Sequence, residues 1–281
     1  MLNNFVAYEY PHAPRTVVIG DVHGDLKRFK QILIDAKVIN EDLEWIADPP
    51  NTIVVQLGDQ VDSANRTPDI SEWEVLDDTH MLHFTNSLAN IAQAKGGNLI
   101  SLIGNHELMN VIGNFMYVSP KSNFPDRHKY FEPGGVLSSI LANRPIVLKI
   151  GSLFFCHAGL LKLHLDVLKD KPVSYINTVW KQFMTTAKIS IEDKEIFDTI
   201  LLGPDGILWT RNIDNDEDAD HVMKTIGCQY MLIGHTPVEQ VQIMKDRLIY
   251  VDTGISRAFG STAYQYIDIH DWFISVKTIH D

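Results

Sequence analysis

A chain of 281 residues with 45% hydrophobic content is long enough to bury a substantial core and too apolar to be a disordered segment. Its formal net charge is -12 and its Lys and Arg are not clustered. That excludes a nonspecific grip on nucleic acid, which needs clustered positive charge to release counterions.

No apolar run approaches the ~20 residues that span a bilayer. The start, Met1-Leu2-Asn3-Asn4-Phe5, lacks a basic-then-apolar signal pattern. Cys156 and Cys228 are too far apart in sequence for a redox or metal motif and read as small buried hydrophobes. A cytoplasmic, reducing setting without membrane attachment is expected.

Residues 1–14 read as an irregular leader closed by Pro11 and Pro14. Residues 15–19 form a short β-branched strand of the kind buried on both faces. It runs into Gly20-Asp21-Val22-His23-Gly24-Asp25, after which Leu26, Phe29, Ile32, Leu33 and Ala36 recur at helical spacing. Asp48-Pro49-Pro50-Asn51 breaks the chain before a second strand, residues 52–57, which delivers Gly58-Asp59-Gln60-Val61-Asp62. A polar loop through Asn65, Arg66 and Pro68 precedes a helix over about residues 72–95, stopped by Gly96-Gly97. A third strand, residues 98–103, ends at Gly104-Asn105-His106-Glu107. Strands alternating with crossovers in this way mark a parallel α/β sheet.

Residues 110–144 have no steady periodicity and read as a long loop with short helices over the face of the site. Residues 145–150 and 153–157 form a hairpin around Gly151-Ser152, ending at Cys156-His157-Ala158-Gly159. A mostly helical section follows to about Leu202. The acidic run 214–220 lacks the Gly and terminal Glu of a calcium loop and reads as a solvated loop. Residues 230–233 and 248–251 are strand-like, ending at Gly234-His235-Thr236-Pro237 and at Asp252-Thr253-Gly254, and residues 263–269 and 272–279 close as a hairpin. No repeat or shift in composition marks a linker, so one domain over residues 1–281 is expected.

Five polar clusters thus follow strands, where open α/β sheets gather their ligands. They offer Asp21, His23, Asp59, Asn105, His157 and His235 as nitrogen and oxygen donors, with His106 and Asp62 in addition. Six donors exceed what one tetrahedral zinc uses. Two divalent ions sharing a carboxylate would use them all, and manganese, iron and zinc suit the donor types. Two ions ~3.5–4 Å apart acidify a bridging water, polarise phosphoryl oxygens and offset developing charge, which is the chemistry of phosphoester hydrolysis. The leaving group then needs a proton, and His106 beside Asp62 fits that role. His80 and His83 are a helical turn apart without a third donor nearby and read as an ordinary helix face.

Taken together, the clusters resemble the signatures of the metallophosphoesterases, specifically the phosphoprotein phosphatase branch: GDxHG, GDxVD, GNHE, HxG and a GHT-type His, in that order over residues 20–254. The resemblance implies a calcineurin-like α/β fold of two mixed β-sheets flanked by helices. It implies that Asp21 and His23 hold one metal and that Asn105, His157 and His235 hold the other, with Asp59 bridging. A hydroxide between the metals would be the nucleophile, and His106, oriented by Asp62, the general acid. Gly104–Asn110 followed by Tyr117-Val118, and Leu208-Trp209-Thr210-Arg211, look most like the Shewanella-like, bacterial-type phosphatases, whose likes also occur in large DNA viruses.

A phosphoprotein substrate, phosphorylated on Ser, Thr or Tyr, and two manganese ions are the expectation, with iron or zinc as the other metals. A dinucleoside tetraphosphatase and a silent phosphate-binding scaffold are the alternatives. The pattern departs from the family where Ser63-Ala64-Asn65 separate Arg66 from the second Asp, where HAG replaces HGG, and where a C-terminal tyrosine-bearing loop is not recognisable. Arg211, Arg144 and Arg66 are the candidate phosphate clamps, because a planar guanidinium pairs bidentately with phosphoryl oxygens.

Overall fold

The computed structural model describes residues 8–63, 78–119, 124–213 and 216–281. Strand β2 (Arg15–Ile19) is buried along its length because both its faces are covered. Val17 and Ile19 pack with Phe29, Ile32 and Leu33 of helix α1 (Leu26–Asp35). Val18 faces the other way, into a second layer of strands. The helix starts where Asp25 caps it, its carboxylate accepting from the Arg28 N–H at 3.1 Å. Strand β3 (Ile53–Gln56) and strand β4 (Asn98–Ser101) run parallel to β2. Helix α2 (Asp78–Ala94) crosses between them, so the expected helix is present over its described part while residues 72–77 lie outside it. The third strand is shorter than expected because the chain leaves the β3 ladder after Leu102, which still donates to the Gln56 carbonyl at 2.8 Å, and Ile103 donates to the Pro145 carbonyl at 3.0 Å.

The hairpin after residue 144 is β5 (Val147–Ile150) antiparallel to β6 (Leu153–Cys156). Strands β7 (Tyr230–Ile233) and β9 (Leu248–Tyr250) extend it in parallel, and β8 (Gln242–Met244) pairs antiparallel with β9. The leader is not wholly irregular: β1 (Glu9–Tyr10) lies parallel to β5. A two-residue strand carries no alternation to read, and its partner is more than a hundred residues away. The closing hairpin, β10 (Ala263–His270) and β11 (Phe273–His280), joins β2 through β10.

The result is two mixed sheets, in the orders β1-β5-β6-β7-β9-β8 and β11-β10-β2-β3-β4. Val18, Val55 and Ile100 of one meet Leu148, Phe155, Leu232 and Ile249 of the other in a shared apolar layer. Helices α1 and α2 cover the outer face of the second sheet. The outer face of the first is covered by α5 (Ser138–Ala142), α6 (Lys162–Leu168), α7 (Tyr175–Thr186), a π-helix (Ile196–Leu201) and α8 (Asp216–Ile226). Two further helices, α3 (Asn105–Val111) and α4 (Arg127–Phe131), lie in the stretch after β4. Among the described residues no helix is long and apolar enough to cross a membrane.

Candidate active site

Both sheets present strand ends to one cavity of about 320 Å³, lined by Asp21, His23, Asp59, Asn105, His106 and His235 together with Tyr117, Trp209, Arg211, Pro237, Asp252 and Phe259. Asp21 and His23 follow β2, Asp59 follows β3, and Asn105 and His106 open α3 just beyond β4. From the facing sheet, His157 follows β6 and His235 follows β7.

The loops bend sharply to do this. His23, Asp59, Asp62 and His235 all have positive φ, at 39°, 51°, 68° and 62°. Side-chain-bearing residues pay for such conformations and keep them only where surrounding bonds impose them. For the Asp59 loop the Glu107 carboxylate supplies those bonds, while the N–H of His23 donates to the Asp59 carbonyl at 2.9 Å. Glu107 accepts from the backbone N–H groups of Asp59 (2.9 Å), Gln60 (2.7 Å), Val61 (3.2 Å) and Gly104 (2.7 Å), and so acts as a supporting acceptor. Gly104 has no alternative, since a Cβ there would collide with Asp59 Oδ1 and the Asp59 backbone nitrogen.

The ring nitrogens fall into an ordered pattern. His23 Nδ1 lies 3.1 and 3.0 Å from the carbonyls of Val61 and Asp62, His157 Nδ1 2.8 Å from that of Leu57, and His235 Nε2 2.9 Å from that of Trp209. A carbonyl only accepts, so these nitrogens carry the protons and the opposite nitrogens turn lone pairs inward, as metal-binding imidazoles do. His157 Nε2 is 2.9 Å from Asn105 Oδ1 and 3.3 Å from Asp59 Oδ2, and His235 Nδ1 is 3.0 Å from Asn105 Oδ1. Ligand atoms of Asp59, His157 and His235 lie within 4.8 Å of one another, as do those of His23, Asp59 and His106, with Asp59 common to both groups.

Asp21 Oδ2 accepts from the His235 N–H at 3.0 Å, while its buried Oδ1 accepts no hydrogen bond among the described residues. Inward lone pairs, a shared carboxylate and a buried carboxylate oxygen without a proton donor are what divalent cations satisfy, so the residues fit a two-ion centre.

Charge follows the same geometry. Burial, then Asp252 and Asp59, push the Asp21 carboxyl well above its ordinary range. Burial also opposes ionisation of Asp59, but His157, His106 and His23 outweigh it and hold that group well below the usual carboxylate range. Burial and the neighbouring His157 lower His235 to about 3, which keeps its ring neutral. Asp252, which the sequence reading left without a role, is raised by burial to about 6 and lines the cavity beside Asp21. Its only signal was an Asp at the end of a strand.

His106 is held differently. Its Nδ1 lies 2.9 Å from Asp62 Oδ2, and its Nε2 3.8 Å from Asp59 Oδ2. Asn110 donates to both oxygens of Asp62 at 2.9 and 3.0 Å, Arg127 lies 3.6 Å from Asp62 Oδ1, and Arg127 Nε donates to Asn110 at 2.8 Å. Neither Asn110 nor Arg127 was singled out from the sequence.

The three arginines separate. Arg211 is exposed at the cavity, with one Nη 3.4 Å from the His235 carbonyl. Arg66 lies outside the described residues. Arg144 does not line this cavity, which corrects the expectation for it. It is buried behind the Asp59 loop, donating to Gln60 Oε1, to Thr85 Oγ1 at 2.8 Å and to the Leu82 carbonyl at 3.3 Å. Nothing before residue 144 in the sequence says on which side of that loop its side chain emerges.

The profile described as calcineurin-like phosphoesterase matches residues 14–239. The chain is 28% identical to Shewanella-like protein phosphatase 1 of Plasmodium berghei, over 92% of this chain and 72% of that protein. It is 32% identical to an uncharacterized protein of Acanthamoeba polyphaga mimivirus, over 63% of this chain and 89% of that one. Its fold matches the crystal structure of a cold-active protein-tyrosine phosphatase from a psychrophilic Shewanella species with a TM-score of 0.79 at 20% identity, over 98% of this chain and 83% of that one.

Proposed function

The chain belongs to the calcineurin-like phosphoesterases, a family of hydrolases, and from that premise we propose that it is a two-metal protein phosphatase acting on phosphorylated Ser, Thr or Tyr side chains. The observation that carries this reading is the convergence of donors from both sheets on the shared carboxylate of Asp59. The name of the Plasmodium relative supports phosphoprotein as the substrate class. One catalytic domain over residues 1–281 belongs to the same proposal, supported by the apolar layer common to both sheets. So does the expected cytoplasmic setting, supported by the two free cysteines.

In this reading Asp21, His23 and Asp59 hold one ion and Asp59, Asn105, His157 and His235 the other, with manganese expected first. When bound, the pair supplies Lewis acidity at phosphorus and a water activated at neutral pH. The residues of the chain do the rest. Exposed Arg211 at the rim offers a planar fork to the phosphoryl oxygens. His106 gives the leaving oxygen its proton from Nε2, and Asp62 holds the ring by Nδ1. Tyr117, with its ring centroid 5.0 Å from that of His106, and Trp209 and Phe259 form an aromatic rim against which a substrate side chain lies.

The test is steady-state hydrolysis by the manganese-loaded chain of phosphoserine, phosphothreonine and phosphotyrosine peptides, with diadenosine tetraphosphate in parallel. We expect kcat/KM for at least one peptide to exceed that for the dinucleotide by about tenfold or more, a difference of some 1.4 kcal/mol in transition-state binding. A preference for the dinucleotide would overturn the substrate class, and no turnover of either would overturn the activity.

A further inference from the structure

Behind the loop that carries Asp59, two cavities of about 320 and 540 Å³ share Asn143, Arg144, Pro145 and Lys181 as walls. The smaller adds amides and hydroxyls, among them Asn86, Asn90, Gln93 and Ser139, and among the described residues no Asp or Glu lines either cavity. In a chain of net charge -12 such a surface is unusual, because most of the exterior repels anions.

Arg144 sharpens the contrast. Among the described residues the other buried arginines each meet a carboxylate: Arg15 with Asp268 (2.8 Å), Arg28 with Asp281 and Arg127 with Asp62 (3.6 Å). Arg144 is buried like these, yet its hydrogen-bond partners, Gln60, Leu82 and Thr85, are all neutral; the carboxylate whose charge acts on it, Glu107, spends its hydrogen bonds on four backbone N–H groups. A buried guanidinium favours an anionic partner, and this one borders a cavity in the size range of small-molecule sites.

We propose that this double cavity is a second binding site, for a small polyhydroxylated anion whose charged group meets Arg144 and Lys181 and whose hydroxyls meet the amides and hydroxyls of the walls. The site is chemically joined to the front of the loop. Arg144 bonds the Gln60 side chain, and the Gln60 N–H is one of four donors to Glu107, another being the N–H of Asp59. An anion drawing on Arg144 therefore acts on the segment that sets Asp59. The inference does not depend on the phosphatase reading.

Calorimetric titration of the manganese-loaded chain tests it with three probes. Glucose 6-sulfate carries charge and hydroxyls and has no phosphoester to hydrolyse, glucuronate replaces sulfate with carboxylate, and inorganic sulfate carries charge alone. We expect glucose 6-sulfate or glucuronate to bind more tightly than inorganic sulfate. Their affinity should persist in Arg211→Ala and fall about tenfold or more in Lys181→Met and in Asn90→Trp, the latter filling the cavity from the exposed side of α2. Circular dichroism and the thermal midpoint establish that each variant is folded, and neither removes Arg144 from its bonds to the loop. Binding of none of the probes, binding abolished by Arg211→Ala, or binding indifferent to both cavity variants would overturn the proposal.

Discussion

His164 and the pair His157 and His235 are anchored alike and end differently. Each is largely buried, and each donates one ring N–H to a backbone carbonyl, His164 through Nε2 to Asp205 at 2.8 Å. The second nitrogen of His164 then accepts from the Leu161 N–H at 3.0 Å, and its hydrogen bonding is complete. The second nitrogens of His157 and His235 face Asn105 Oδ1 and, for His157, Asp59 Oδ2. One histidine is finished by the fold itself. The other two are left with a nitrogen that, in the proposed reading, a metal ion would finish, and that open nitrogen is a better mark of a candidate ligand than burial is.

The largest break in that comparison would come from Asp59→Asn, which removes the carboxylate shared by both donor groups. Two cations cannot stay compensated without it. Elemental analysis should find metal falling from about two ions per chain toward none, with activity lost in step. Full occupancy in the variant would show that Asp59 is not the bridge.

His106→Asn probes the imidazole whose anchor is a carboxylate. It should lower turnover ~10²–10⁴-fold, the usual worth of a positioned proton donor, while metal content stays near that of the parent. Metal loss on a similar scale would move His106 into the ligand set, where its distance to Asp59 also allows it to stand.

His164 supplies the smallest effect and the sharpest sign. Burial lowers its folded-state value to about 4 from an ordinary 6.5, with the Asp205 carbonyl and carboxylate opposing. Between these values the unfolded chain binds the extra proton, so stability is fully present above the unfolded value and is lost as pH falls through 6.5 toward 4. At about pH 5 the loss should be about 2 kcal/mol relative to neutral pH. Denaturant unfolding of the parent and His164→Gln at both values checks this, and an equally steep pH dependence in the variant would remove His164 from the account.

How much of this was legible in the sequence depended on how local each signal was. Asp21, His23, Asp59, Asn105, His157 and His235 each follow an apolar strand within a few residues, so their convergence needed only the general rule for strand ends. The two-sheet arrangement followed from the family resemblance, since strand and helix periodicity alone suggested a single parallel sheet. Asp252 also ends a strand, but without a histidine beside it the residue looked like any turn aspartate. Strand β1 escaped because its partner β5 is remote in sequence. Arg144 was misplaced because arginine chemistry predicts a phosphate partner wherever the side chain lands, and where it lands is decided by Gln60, Leu82 and Thr85, far away along the chain.

The donors of the cavity come from both sheets, and even without an ion they lace the two together. His157 of one sheet binds the Leu57 carbonyl beyond a strand of the other, and the N–H of His235 binds Asp21 across the same gap. The centre is thus a rivet as well as a reaction chamber. Ions seated between Asp59, His157 and His235 would clamp one layer of the sandwich to the other, and their binding energy would be returned as resistance to unfolding. For a molecule so built the melting curve would double as a gauge of metal loading, and stripping the ions would loosen the sandwich as well as inhibit it.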